Sequence, residues 1–377
     1  TEEDQRMIGS TPGIALGARR CSSAIGLLLS IALTTGCAGL GPRVISAGRP
    51  AYNEAIQRTG NEEMLLNIVR LRYSDTPFFL RVSGVAANVS SQIGVDGGAT
   101  LPSSGSAVGN VAATARLLDN PTVTFAPLQG DQFVTQMLTP VRLQTLLLLI
   151  ESGWSIDRVL RLCVQRMNDV RNAPSASGPT PTGAPVYTDF RRASQLLGDL
   201  YRRDAIDFSI PVDDPHSLVM RFRAHESDSP EVHEVAKLLD LDPRAKQFRL
   251  SISGAGLRSG DEVAIETRSL MGSLFYLSQA VQPAAEHESK GWVTITRTPD
   301  GEPFDWSQVM DGLFRIESGP RASADAFLEA SYLGHSFRID QRDLQTKSTF
   351  ELLSLLFALQ AGATPGGGPV LTLPVSR

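Results

Sequence analysis

Val85-Ala86-Ala87-Asn88-Val89-Ser90-Ser91-Gln92-Ile93-Gly94-Val95 alternates with a period of two. Val85, Ala87, Val89, Ile93 and Val95 take one set of positions and Ala86, Asn88, Ser90, Gln92 and Gly94 the other, the pattern of a strand with two unlike faces. A second run repeats it, with Ala107, Val111, Ala113, Ala115 and Leu117 against Val108, Asn110, Ala112, Thr114 and Arg116. Gly97-Gly98-Ala99-Thr100-Leu101-Pro102-Ser103-Ser104-Gly105 joins the two as a loop. Between Arg81 and Arg116 the only charge is Asp96. Residues 82–118 are therefore expected to form a β-hairpin, each run having about the 9–11 residues that a tilted strand needs to cross a bilayer. Phe78, Phe79 and Phe125 flank the pair, where interfacial aromatics would lie. A soluble hairpin and a flexible Gly/Ser linker are the competing readings, because Ala and Ser dilute the alternation.

Outward from this stretch the periodicity changes to that of helices. Thr59 and Glu62 have capping-box spacing, Leu65, Leu66, Val69 and Tyr73 share a face, and Arg70 and Arg72 close the run, so a capped helix is expected from Thr59. The two arginines suit the helix C-terminal end and a neighbouring carboxylate better than a ligand clamp. After Pro121–Pro127, an extended segment, come helices broken at Pro140 and Gly153. Leu143 and Leu146–Ile150 make Val141–Ile150 apolar nearly all round, a helix for a protein interior or an interface and too short to span a membrane. Ser155 and Asp157 open the next helix, which is expected to carry Cys163 with Ile156, Val159, Leu160 and Met167 at helical spacing.

Residues 173–185, rich in Pro, Gly, Ser and Thr, read as a linker and a domain boundary. Beyond it, helices are expected at Tyr187–Arg203, Pro230–Leu239 and Arg268–Val281. Strands are expected at Ile206–Ile210, Ser217–Arg223, Gln247–Ser253 and Gly291–Arg297, and a hairpin over Phe327–Ile339 turning near Gly334. The last helix, with Ser348 and Glu351 at capping-box spacing, runs through Phe350–Leu359 to Gly362, and Pro369–Val375 follows as a final strand. The expected class is α+β, with helices packed on mainly antiparallel short strands and the Gly/Ala/Ser-rich hairpin in the N-terminal half. The expected organisation is a signal peptide (1–36), a tether (37–58), a helical region carrying the hairpin (59–172), the linker and an α+β domain (186–377).

Arg19 and Arg20 precede an uncharged apolar run, Ile25–Leu33, which is too short for a permanent span and ends in small residues, the three parts of a secretory signal. Thr1–Arg6 precede the first methionine, Met7, so either Met7 is the start or the sequence begins within a longer chain. Leu33-Thr34-Thr35-Gly36-Cys37 resembles the lipobox of bacterial lipoproteins, matching it at Gly36 and Cys37 and departing from it at Thr34. The resemblance covers only this segment. It implies that Cys37 is acylated and becomes the new N-terminus, and the absence of Asp at position 38 implies sorting to the outer membrane, at its periplasmic face. Two strands cannot span a bilayer alone, since their outer edges would present unpaired backbone groups to lipid. The arrangement is similar, in architecture and not in sequence, to secretion-channel lipoproteins in which each subunit donates hairpin strands to a shared pore.

Removing residues 1–36 takes away Glu2, Glu3 and Asp4 together with Arg6, Arg19 and Arg20, so the net charge stays at −5. That balance argues against a nucleic-acid partner. Of three cysteines, Cys21 leaves with the signal and Cys37 carries lipid, which leaves Cys163 as a core hydrophobe and no disulfide. The histidines His216, His225, His233, His287 and His335 lack metal-site spacing. His225-Glu226 and Glu286-His287-Glu288 read as solvated loops. Gly254-Ala255-Gly256-Leu257-Arg258-Ser259-Gly260 lacks the spacing of a phosphate loop and runs into Asp261 and Glu262, so it reads as a turn. No catalytic residue, cofactor or metal is expected. The expected partners are the bilayer, through acylated Cys37, and other proteins or further copies of the chain. The function expected is a non-enzymatic structural, assembly or export component. A lipid-tethered periplasmic enzyme or ligand-binding protein is the alternative, which a deep pocket of converging His, Asp or Glu would favour.

Overall fold

The computed structural model describes residues 40–86, 89–100, 108–119, 122–211, 218–224, 228–242, 244–252, 260–361 and 371–374. The chain divides into two units, Thr1–Thr59 and Gly60–Arg377, and the division falls inside the first helix, α1 (Leu40–Arg72). Thr59 is therefore not a helix cap. Its hydroxyl donates to the carbonyls of Ala55 and Ile56 within an already formed helix, a common fate of Thr inside a helix. The tether expected at 37–58 is helical from Leu40 onward, and Cys37 lies outside the described residues.

The larger unit continues with β1 (Leu80–Ala86), β2 (Val89–Thr100), β3 (Val108–Asp119) and β4 (Thr122–Pro127), then the helices α2 (Asp131–Leu138), α3 (Leu143–Glu151) and α4 (Ile156–Cys163). Next come β5 (Val164–Met167), β6 (Val170–Arg171), α5 (Thr188–Arg202), β7 (Ile206–Ser209), β8 (Leu218–Phe222) and α6 (Pro230–Leu238). The chain closes with β9 (Gln247–Ile252), β10 (Glu262–Thr267), α7 (Leu270–Ser278), α8 (Ala285–Ser289), α9 (Ser307–Met310), β11 (Glu317–Gly319), β12 (Ala326–Tyr332), β13 (His335–Asp340), α10 (Leu344–Ala361) and β14 (Leu371–Pro374). The fold is α+β. The central sheet has the order β6-β5-β10-β9-β8-β7, antiparallel except for β9 with β10.

Period-two burial along β8 and β10 gives this sheet one apolar face, and α3, α4 and α5 cover it. Leu146, Leu147, Ile150, Leu160 and Leu197 from the helices meet Met220, Leu250, Val263 and Ile265 from the strands around a small apolar cavity of about 40 Å³. The nearly all-apolar helix α3 is buried here on every side but that of Leu148. Cys163 is fully buried in the same core, and burial pushes its thiol pKa up to about 12, so it packs and does not react.

Residues 173–185 do not behave as a free linker. Ala173, Ala176 and Thr180 are buried, the amide of Ala184 donates to the Arg297 carbonyl at 2.9 Å, and the amide of Arg297 donates to the Thr182 carbonyl at 2.8 Å. Strand β5, from before this segment, pairs with β10, from after it, so the expected boundary falls within one compact unit. Pro/Gly-rich composition limits regular structure, but it does not prevent a segment from being pinned by neighbours distant in sequence. Residues 291–297 form only isolated bridges at Arg297, not the expected strand. The hairpin β12–β13 turns through Leu333 and Gly334, both left-handed, as a two-residue turn requires. Helix α10 starts earlier than expected. Asp343, not Ser348, caps it, accepting the Thr346 amide at 3.0 Å. Gly254–Ser259, Gly362, His216 and His225 lie outside the described residues.

Candidate functional site

The strands β1 to β4 form two antiparallel ladders, β1 with β4 and β2 with β3. Gly84 pairs with Thr124, Ala86 with Thr122, Val89 with Asp119 and Thr100 with Val108, and every step forward on one arm is a step back on the other. The ladders on either side of residues 87–88 and 120–121 thus share a single register. At about 3.4 Å per residue, β2 and β3 each have a contour of about 40 Å. The expected loop at 97–105 is shorter, since the ladder continues to Thr100 and resumes at Val108. The one irregularity lies near the root, where the register shifts between Val82 and Gly84 and the Ser83 hydroxyl donates to the Thr124 carbonyl.

The register joins the two alternating runs on one face. Ile93 is opposite Ala115, Val95 opposite Ala113 and Gly97 opposite Val111, while Gln92 opposite Arg116 and Asp96 opposite Ala112 belong to the other face. A shift of one residue would have set apolar against polar positions. Beyond the root β2 and β3 pair only with each other among the described residues, so each presents an unpaired edge of 12 residues. At the root β4 is central, flanked by β1 and by β14, whose Leu371 pairs with Phe125 and whose Pro374 pairs with Thr122.

Buried polar groups hold the root. Asn67, wholly buried on α1, donates from Nδ2 to the Phe78 carbonyl at 2.7 Å and accepts the Phe78 amide at 3.0 Å on Oδ1. Glu63 Oε1 accepts the Leu80 amide at 2.7 Å. Burial pushes the Glu63 carboxyl pKa up, against the Leu80 amide and Arg70, which pull it down. Phe79, expected at a membrane interface, is in the core instead, with ring centroids 6.1 Å from Phe133 and 5.1 Å from Phe357. Phe78 is exposed and Phe125 half-buried. Among the described residues Arg72 makes no ion pair, although the Glu288 carboxylate acts on it from a distance. Arg72 is buried and donates to the Thr294 carbonyl at 3.0 Å and to the Thr180 hydroxyl, while Arg70 reaches Asn67 Oδ1.

Where α1 turns toward β1, Tyr73 sits among aromatic rings. Its hydroxyl meets His287 Nδ1 at 2.8 Å, and its ring makes edge contacts with His287, Tyr332 and Phe337. Tyr332 in turn donates to Asp75. His287 stacks on Trp292 and lies edge-on to His335, with ring centroids 4.9 and 4.6 Å away. His287 is 1% exposed, so the solvated loop expected there is a packed cluster.

Burial first, and the neighbouring His335 second, push the His287 pKa below its ordinary value, against the Leu333 carbonyl and Glu286. The unfolded chain, with His near 6.5, then binds this proton more readily than the native one. Stability from this group is complete above about pH 6.5 and declines as pH falls toward the depressed native value. The expected result is a lower melting temperature at pH 5 than at pH 7.5, with a shallower drop in His287→Gln. Parallel profiles for both proteins would assign the acid sensitivity to other groups.

Sequence reasoning missed Glu63 and Asn67 as root-holding residues, and the meeting of Tyr73 with His287. The available signal was Asn67, a polar residue inside the apolar run Met64–Val69. Two open clefts lie in the larger unit. One, of about 740 Å³, is lined by Arg191, Asp311, Arg315 and Asp343 among others, and the other, of about 650 Å³, lies between α1, Leu80 and Glu329. Among the described residues no three His, Cys, Asp or Glu side chains converge as a metal site, and no helix is long and apolar enough to cross a membrane. Compared with family models, with curated proteins and with solved structures, the chain matches none.

Proposed function

We propose that this chain is a lipoprotein anchored by acylated Cys37 at the periplasmic face of the outer membrane. It acts as a non-enzymatic structural, assembly or export component, and its hairpin enters the bilayer as one subunit's share of an oligomeric pore. The observation that carries the reading is the register of β2 with β3, which gathers the apolar positions of both strands on one face over a membrane-spanning length. An isolated two-stranded hairpin is marginally stable in water, and its bare edges are untenable in lipid. Further copies satisfy both demands, with the β2 edge of one chain pairing antiparallel to the β3 edge of the next. The buried contacts of Glu63 and Asn67 suit a rigid mount for such an element.

Two outcomes test this. Ala113→Arg, on the apolar face at mid-strand, should destabilise the assembly by about 2–4 kcal/mol, whereas Ala112→Arg on the other face should be milder. Detergent-stable oligomer, read by mass measurement across a denaturant series, reports the difference, and equal tolerance at both positions or a monomeric wild type would sink the pore. Cys37→Ala should lose metabolic fatty-acid label and leave the membrane fraction. Equal label in wild type and variant would remove the lipoprotein.

A further inference from the structure

The segment that carries α1 into β1 is held by a hydrogen bond that a single proton would reverse. Tyr73, the first residue after α1, is buried, and its hydroxyl meets Nδ1 of His287, on α8, at 2.8 Å. The Ala284 amide acts on the phenolic oxygen as a donor, and the Leu333 carbonyl acts on the imidazole as an acceptor. A neutral His287 with its proton assigned to Nε2 suits both, and its Nδ1 then accepts from Tyr73. A second proton, at Nδ1, sets two donors against each other. Tyr73 then loses the acceptor for its own proton inside a buried cluster of aromatic rings, and an unmet buried donor is costly.

The charged groups around the ring come from every neighbouring element. On α8 itself are Glu286 and Glu288, and just beyond it Lys290, which pairs with Glu286 and lies 4.6 Å from the centroid of the Trp292 ring. From β13 comes His335, edge-on at 4.6 Å, whose Nδ1 is buried with no hydrogen-bond partner among the described residues. Arg72 ends α1 beside Tyr73, and Tyr332 of β12 donates to Asp75. Glu286 favours an imidazolium at His287, whereas His335 and Lys290 disfavour it. Ser74 leaves α1 in the left-handed region, at φ 61°, a conformation that lasts in a residue other than glycine only while its surroundings fix it. We propose that protonation of His287 is an acid switch that releases Tyr73 and opens the joint between α1 and β1 while the central sheet stays closed. The closed joint takes up this proton less readily than an open one, where His titrates near 6.5, so opening grows as pH falls below about 6.5, by at most about tenfold per pH unit for one proton. The switch needs neither a bilayer nor further copies of the chain.

The test is hydrogen exchange of the full chain at pH 7.5 and pH 5, read by mass spectrometry and corrected for the intrinsic pH dependence of exchange. Amides of residues 73–79 should exchange faster at pH 5, by at most about tenfold per unit below pH 6.5, while those of β8 and β9 keep one rate. Emission from Trp292, whose ring stacks on His287 at 4.9 Å, should change over the same range, and Trp292→Phe separates its share from those of Trp154 and Trp306. Tyr73→Phe leaves no hydroxyl to orphan, so it should move the emission midpoint to higher pH and flatten the exchange difference. His287→Gln should abolish both responses, and His287→Asn serves if the glutamine variant fails to fold. Equal exchange of 73–79 at the two pH values, a difference that persists undiminished in either Tyr73→Phe or His287→Gln, or acceleration of β8 and β9 in parallel with 73–79 overturns the switch. None of these results bears on the membrane reading.

Discussion

Arg268→Ala should lower the free energy of unfolding by about 3–5 kcal/mol. Arg268 is 1% exposed and makes no ion pair with a carboxylate among the described residues. Its guanidinium donates to the carbonyls of Val164 at 2.7 Å, Arg161 at 3.1 Å, Leu162 at 3.4 Å and Asn172, and from Nε to the Ser177 hydroxyl at 3.0 Å. Its carbon lies 3.9 Å from the centroid of the Tyr276 ring. Several of those carbonyls belong to the last turn of α4, where a helix leaves its acceptors without internal partners and a cation is favoured by the helix dipole. Burial pushes the Arg268 pKa down to about 10, with Tyr276 and Cys163 opposing, so it stays charged at neutral pH. Removing it leaves several buried acceptors unsatisfied at once, in a place where α4, β5, the segment 173–177 and α7 meet. Lysine should not rescue, because an ammonium cannot reproduce the planar fork. Urea unfolding at pH 7 measures the loss, and a midpoint within error of wild type would mean that the carbonyls find water.

Leu353→Ala and Leu356→Ala should each cost about 2–5 kcal/mol. Leu353 is 0% and Leu356 1% exposed, and α10 packs against α2 and α7, with Phe357 on Phe79 at the hairpin root. Truncation leaves a cavity that rigid neighbours cannot close. Leu355→Ala, on the exposed side of the same helix, should stay within about 0.5 kcal/mol. Thermal unfolding of the three variants tests the contrast, and equal losses would show that α10 is covered on its outer side by a partner.

Much of the architecture was legible before any coordinates. Period-two runs marked β2, β3, β8, β9 and the hairpin β12–β13, and period-3.6 runs marked α5, α6, α7 and α10. The α+β class follows from those periodicities. The misses share one cause. Thr59 with Glu62, and Ser348 with Glu351, have the spacing of caps, yet the chain on their N-terminal side was already helical, and Asp343 held the cap of α10. The segment 173–185 has the composition of a linker, but Arg297, bonded to Thr182 and Ala184, and Arg72, bonded to buried Thr180, tie it down from more than a hundred residues away.

By itself the sequence determined the element types and the two unlike faces of each strand at 85–95 and 107–117. Each of these depends on residues a few positions apart. Only the tertiary structure decided that β1 pairs with β4, that β14 joins that sheet, and that Glu63 and Asn67 hold the backbone of Phe78 and Leu80. Those depend on which distant backbone groups and side chains lose their water to each other. A buried polar side chain is stable only where its partners are, and local spacing carries no record of where partners separated by 11 residues (Asn67 and Phe78) or 214 (Tyr73 and His287) will meet.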